Sequence, residues 1–485
     1  MMIYIMFGNK EKKNADGPGA GLRMALVGLL WLALWQAAAA AVGNGLLLPG
    51  PVDTVRALAA LAVTGEFYMN IGWTVFRCLL AMVLSFAAGV LCAGAAYRWS
   101  AVKSILSLPV AFFKAVPVMA IVIYVILLAD SDWVAVIVCF FMCFPIVYAN
   151  ILAGLEAMPE EYLELAGICG LGKWQIIRLI YAPGILPHIK SAVSLIAGIS
   201  WKAVVAAEVL SIPKYSLGYE MLNSKYYLET ANLFAYIVVI VVLSLAFEKL
   251  IKASMSRIEW HGYEGSKVER GTVPDVDETG TDSVDGAPAV VCRNVSKSFD
   301  DKLVLDDLTI NFEAGCVTAV MGPSGEGKTT LARIIAGLET ADEGVTEFSE
   351  PARISFLFQE DRLLPWLNIY DNIALAKGGA ECSARVRALA ERLEIGDTLW
   401  QLPAALSGGM KHRAALARTF NADSNLLILD EPFRGLDEAL KERIVNKLWE
   451  SETAGKTVIL ITHNKDDAAK LGTMFSSVIT SQNGD

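Results

Sequence analysis

Two short stretches in the second half of the chain carry residue types spaced for work on phosphates. Residues 320–335 read VMGPSGEGKTTLARII and fit G-x-x-x-x-G-K-[ST] through Gly322, Gly327, Lys328 and Thr329. An apolar strand pattern precedes the motif and a helical one follows, the context such a loop needs. Glycines let the backbone of Gly322, Pro323, Ser324, Gly325 and Gly327 close around phosphate oxygens, and the helix opening at Lys328, Thr329 and Thr330 adds positive potential. Lys328 can reach the β- and γ-phosphates, and Thr329 can hold Mg²⁺. The second stretch, LLILDE at 426–431, is an apolar strand ending in two carboxylates. Asp430 is expected to act on Mg²⁺, and Glu431 to polarise an attacking water as general base.

Placing these residues requires a sheet. Runs such as CVTAVMG, LLILD and TVILITH alternate with helical patterns, which predicts an α/β domain with a largely parallel sheet over 289–485. Before it, residues 259–288 are polar, acidic and rich in Gly, Thr and Asp, and read as a flexible linker.

Upstream the chain changes character. Hydrophobic residues make up 54% of the protein and charged ones only 19%, and most of the charge lies after residue 255. A net charge of −10 leaves no basic surplus for a nucleic-acid partner. Six apolar stretches, near 24–42, 75–97, 108–129, 133–153, 190–210 and 231–251, are long enough to cross a bilayer as helices. Basic residues gather in alternate loops: Lys10, Lys12, Lys13 and Arg23; Arg98 and Lys103; Lys173, Arg178 and Lys190; Lys252 and Arg257. The loop at 130–132 holds only Asp130 and Asp132 as charges. That asymmetry predicts a cytoplasmic amino terminus, with 1–23 as a retained tail, and returns residue 252 to the cytoplasm. The eight cysteines show no C-x-x-C pair or metal spacing, and Cys139 and Cys143 read as small hydrophobes in a helix.

Between the two phosphate motifs lies LSGGM at 406–410, followed by KHRAALAR. With it, residues 290–485 resemble an ATP-binding-cassette ATPase. The resemblance implies ATP with Mg²⁺, and it implies that Ser407, Gly408 and Gly409 cap the γ-phosphate held by an opposite subunit. Gln359 matches the Q-loop that senses Mg²⁺ and contacts the membrane domain, and His463 matches the switch histidine. Phe299 stands where an aromatic stacks on adenine, and Asp437 fits the D-loop. Met410 and Arg434 depart from the family pattern; His412 and His188 match no role. Because phosphate loop and LSGG capture ATP from opposite faces, two cassettes must close head-to-tail. One cassette per chain predicts a homodimer with two equivalent sites.

Residues 164–183, ELAGICGLGKWQIIRLIYAP, resemble the cytoplasmic loop of bacterial importer permeases, E-A-A-x3-G-x9-I-x-L-P. Glu164, Ala166, Gly170, Ile180 and Pro183 fall on the pattern; Leu165 and Ala182 depart from it. The expected form of this coupling loop, 159–183, is a short helix, a glycine turn and a second helix stopped by proline, docked near Gln359. LLLPGPVDTV, GISWKAVVAAEVL and YSLGYEMLNSKYYLETANLFAYIVVI resemble permeases of the nitrate, sulfonate, taurine and bicarbonate importer group, as does FQEDRLLPWLNIYDNI in the cassette. The resemblance implies an all-α six-helix transmembrane domain of the type I importer kind at 24–258, plus the α/β cassette, multi-pass in a bacterial cytoplasmic membrane. It also implies import of a small anionic or heterocyclic solute and a separate extracytoplasmic solute-binding protein, since the outward loops are too short to hold one.

The apolar stretches carry few ionisable residues, among them Arg77, Lys114, Lys202 and Glu208. Lys202 and Glu208 share one span, about 9 Å apart along its axis. They read either as a pair holding helices together or, for Lys202, as a pathway residue facing an anionic cargo. Two other classes remain. An exporter half-transporter would carry a longer membrane domain with cytoplasmic helix extensions and no E-A-A loop. An ATP-driven signalling or wall-remodelling complex would show four spans and a large outer domain.

Overall fold

The computed structural model describes residues 20–258, 286–300, 302–323, 325–377, 383–471 and 474–477. Most of the tail 1–23, the body of the linker 259–288, Ser324 and Cys382 lie outside the described residues. The chain divides into two compact units, one of residues up to 157 and 185–258, the other of 158–184 and everything from 259 onward.

In chain order the first helices are α1 (Ala20–Val42), α2 (Pro51–Leu61), α3 (Gly65–Arg98), α4 (Ser100–Ala115), α5 (Val118–Ile126) and α6 (Ser131–Glu156). Then follow α7 (Glu160–Ile168), α8 (Lys173–Ser211), α9 (Leu217–Tyr226) and α10 (Thr230–Ser256). Among the described residues α3, α6, α8 and α10 are each long and apolar enough to span a membrane. The core of the first unit is α3 against α6. Small residues allow this approach: Ala81, Ala93 and Ala96 are buried, and a Cβ on Gly89 would lie 2.6 Å from Val147 Cγ1.

Two expectations are corrected here. The stretch 108–129 is not one helix: it breaks between α4 and α5, which bend by 103°. Pro117 lacks an N–H and forces Val116 into extended backbone (φ −72°, ψ 130°), ending α4. Pro183 likewise does not stop a helix. A π turn at Ile177–Tyr181 precedes the stretch Ala182–Ser211, so Pro183 sits in its first turn, where a missing N–H is tolerated, and α8 runs on to Ser211.

In the second unit, β1 (Val290–Phe299), β2 (Lys302–Phe312) and β4 (Glu343–Phe348) form an antiparallel sheet in the order β2-β1-β4. A parallel sheet runs β5-β6-β7-β3-β8, from β3 (Val317–Met321), β5 (Ile354–Leu357), β6 (Leu426–Asp430), β7 (Thr457–Ile461) and β8 (Met474–Ser477). Every residue of β6 and β7 is buried, as continuous apolar runs covered on both faces should be. Besides α7 and the start of α8, the α-helices of this unit among the described residues are α11 (Lys328–Ile335), α12 (Ile369–Ala374), α13 (Ser383–Arg392), α14 (Gly408–Asn421), α15 (Glu438–Ile444), α16 (Glu450–Thr453) and α17 (Lys465–Leu471). The carboxyl ends of β3, β6 and β7 point their loops to one edge, where open α/β sheets bind ligands.

Candidate nucleotide site and its neighbours

The loop from β3 to α11 turns on glycine. Gly325 (φ 89°) and Gly327 (φ 82°) take left-handed backbone, and a Cβ on Gly327 would lie 2.7 Å from Leu305 Cδ2. Lys328 curls over the loop and donates to the Gly322 carbonyl (2.8 Å) and the Pro323 carbonyl (2.5 Å). Its ammonium thus sits at the mouth where a phosphate would replace those carbonyls. Thr330 follows Thr329 in the first turn of α11.

Thr329 Oγ1 donates to Asp430 Oδ2 at 2.8 Å, so two hard oxygen donors from different motifs already meet. That donor pair suits Mg²⁺; Gln359 is exposed in the loop after β5. Burial pushes the Asp430 carboxyl up to about 6; its bond to Thr329 opposes the shift, and the neighbouring Glu431 charge adds to it.

Glu431 leaves β6 in left-handed backbone (φ 52°), pinned by its N–H to the Ile461 carbonyl of β7 (2.9 Å). Its Oε1 lies 3.0 Å from Nδ1 of His463, a largely exposed ring one loop past β7. A cavity of about 310 Å³ opens beside this pair, lined also by Arg434, Thr462 and Asn464. A carboxylate and an imidazole at one open surface can share and orient a water. Ser407 caps α14, accepting from Met410 N–H, with Gly408 and Gly409 in the first turn and exposed or half-buried. Met410 packs on the helical core, and Asp437 caps α15 through Leu440 N–H at 2.8 Å. Phe299 ends β1 with an exposed ring beside the Lys297 ammonium, 5.2 Å from the centroid.

The stretch 158–184 packs with the cassette in one unit. Glu164 on α7 accepts from Arg333 (2.6 and 3.0 Å) and from Arg362 (2.6 Å). The two guanidiniums hold its carboxyl below the ordinary range; the Arg333 bonds lead that effect and partial burial opposes it. Ala166, Leu179 and Ile180 are buried against Leu364, Leu367 and Leu375, and Trp366 donates its indole N–H to the Leu179 carbonyl (2.7 Å). Gly170 makes the turn with φ 64°, a conformation other residues rarely adopt. Sequence reasoning missed Arg333, Arg362 and Trp366 as partners. Trp366 stood in the quoted FQEDRLLPW run, but nothing in the sequence pairs a helix residue with a distant loop.

In the first unit Glu208 does not pair with Lys202, which corrects the paired reading. It accepts from Arg77 (3.0 Å), from Thr74 Oγ1 (3.0 Å) and from the Gly218 N–H (3.3 Å). Arg77 also donates to Asp132 Oδ1 (3.1 Å) and to the Tyr215 carbonyl (2.7 Å). Lys202 is exposed on α8, on the face it shares with exposed Ser191 and Leu195.

A nucleotide loop, a carboxylate pair and an LSGG-capped helix in one unit, in a chain that also carries an apolar helical unit, define an ATP-powered membrane machine. A family model described as "ABC transporter" matches residues 305–434, and one described as "Binding-protein-dependent transport system inner membrane component" matches 85–259. The aliphatic sulfonates import ATP-binding protein SsuB 1 of Paracoccus denitrificans is 40% identical over 186 residues, 38% of this chain and 77% of its own length. SsuB 2 of Streptomyces avermitilis is 39% identical over 187 residues, covering 38% and 74%. A solved dimeric bacterial ABC transporter cassette is 25% identical, covers 39% of this chain and 94% of its own, and has a TM-score of 0.36. The chain belongs to the ABC transporter family, as an importer permease joined to an ATPase cassette in one multi-pass membrane protein.

Proposed function

We propose that two copies of this chain form the translocating core of a bacterial importer that admits a small anion of the sulfonate kind, delivered by a separate solute-binding protein. Residues 24–258 are the permease, 259–288 the tether and 289–485 the cassette, which lies on the cytoplasmic side of the cytoplasmic membrane. The observation that carries the reading is the seat of Glu164 between Arg333 and Arg362, because an E-A-A-type loop docked on a cassette is what an importer needs to transmit closure.

Phe299 stacks on the adenine and the 322–330 loop holds the phosphates, with Lys328 on the β- and γ-phosphates. Thr329, Asp430 and Gln359 hold Mg²⁺, which neutralises phosphate charge when bound. Glu431 takes a proton from the attacking water, and His463 keeps that carboxylate and the γ-phosphate aligned. Ser407, Gly408 and Gly409 of a second copy close the site. Glu164, Ala166, Gly170, Ile180 and Pro183 pass the resulting motion to α8, on which Lys202 faces the anionic cargo. The sulfonate names of the cassette's relatives and the cationic Lys202 support the solute class.

Thermal-shift screening of the proposed solute-binding partner tests that class. Stabilisation by ethanesulfonate or taurine is expected; stabilisation by neutral aminopyrimidines alone would overturn it.

A further inference from the structure

His412 lies on α14, one turn past the Ser407 cap, and its ring is buried with 4% exposure. Nδ1 stands 3.0 Å from Asp361 Oδ1, two residues beyond Gln359, and Nε2 stands 3.0 Å from the carbonyl of Pro432, the residue after Glu431. One side chain on the LSGG helix therefore touches both the Gln359 loop and the turn that presents Glu431.

Both places need holding. Arg362 (φ 45°) and Glu431 (φ 52°) each adopt left-handed backbone without being glycine, a strain that persists only where the surroundings over-determine it. Around the imidazole, Arg418 on the same helix donates to the carbonyls of Asp361 and Arg362 (2.9 Å each). Arg434 donates to the Gln359 carbonyl (3.3 Å), closing a second tie between the same loops. Both ring nitrogens are thus engaged, one by a carboxylate and one by a backbone carbonyl.

We propose that His412 is a positioning residue for ATP hydrolysis, clamping the Gln359 loop to the turn that presents Glu431. Through it, a shift of the LSGG helix on closure is felt at the metal-sensing loop and at the general base together. The proposal rests on the reading of Glu431 as base.

The test uses the full chain in lipid nanodiscs, with His412→Leu, His412→Gln and Glu431→Gln. ATPase kcat and KM, binding of a fluorescent ATP analogue and melting temperature are measured for each. His412→Leu is expected to lower kcat about tenfold or more while KM and nucleotide binding stay within about twofold. His412→Gln, which restores one donor, recovers part of kcat. The clamp is overturned if His412→Leu keeps its kcat. It is equally overturned if kcat, KM and melting temperature all worsen together with His412→Gln no better than His412→Leu. Continued hydrolysis by Glu431→Gln would instead sink the base assignment; an inactive Glu431→Gln beside a fully active His412→Leu sinks only the clamp.

Discussion

Glu164 and Arg333 meet as a two-pronged pair, Nη2 to Oε1 at 2.6 Å and Nη1 to Oε2 at 3.0 Å. Arg333 lies on the helix that opens with Lys328, so the docking loop grips the phosphate-binding helix itself. A fork-to-fork geometry fixes direction as well as distance, which suits a joint that must transmit displacement. Arg362, next to Asp361 on the Gln359 loop, donates to Oε2 of the same carboxylate at 2.6 Å.

Replacing Glu164 with Ala is expected to uncouple the machine. Stimulation of ATPase by loaded binding protein should fall about 5- to 150-fold, the usual range of a coupling energy, while basal ATPase persists. Undiminished stimulation in the variant would remove Glu164 from the transmission path. The sign with pH follows from the lowered carboxyl. The pair's contribution is fully present above the ordinary 4.5 and drains away as pH falls through the lower folded value. Stimulation should therefore show no loss attributable to this pair at any pH above 4.5.

Asp371, buried in the first turn of α12, is pushed up to about 6 by burial, against the pull of its bond to Asn368. A raised carboxyl favours the fold in its protonated form. Its contribution is complete below the ordinary 3.8 and is lost as pH rises through about 6. Asp371→Asn should stabilise the cassette by about 1–3 kcal/mol at neutral pH, a gain that shrinks on acidification. Thermal denaturation of the full chain at two pH values reads both, and an equal gain at pH 4 and 7 would refute the assignment.

Arg77→Met would strand Glu208, which is fully buried, without its cation. The expected loss is about 3–5 kcal/mol of stability, and Arg77→Met combined with Glu208→Gln should recover much of it, because the only carboxylate then left without Arg77 is the exposed Asp132. Detergent-solubilised melting curves distinguish this from an additive double variant.

Lys202→Ala should abolish cargo-stimulated ATPase and leave basal ATPase intact, since Lys202 is exposed on α8 and distant in sequence from every nucleotide residue. Unchanged transport by the variant would remove Lys202 from the pathway.

The cassette was legible because its chemistry is local. G-x-x-x-x-G-K-T and LLILDE each place their functional atoms within one strand and one turn, so the motif nearly contains the geometry. The helix boundaries at two prolines were not legible from apolar length: Pro117 divides a stretch whose hydropathy reads as one span, and the π turn before Pro183 lets a helix continue where proline predicts an end. The partner of Glu208 was missed for another reason. Lys202 shares its helix and Arg77 does not, and no periodicity in one chain shows which helices pack. His412 carried no motif at all, and its two contacts exist only once α14, the Gln359 loop and β6 come together.

The most direct test measures entry of radiolabelled ethanesulfonate into proteoliposomes holding this chain, with ATP enclosed on the cassette side and the solute-binding protein outside. Accumulation above the external concentration, requiring ATP and absent with Glu431→Gln, is the predicted result. Outward movement of the solute, or accumulation undiminished by Glu431→Gln, would contradict the account.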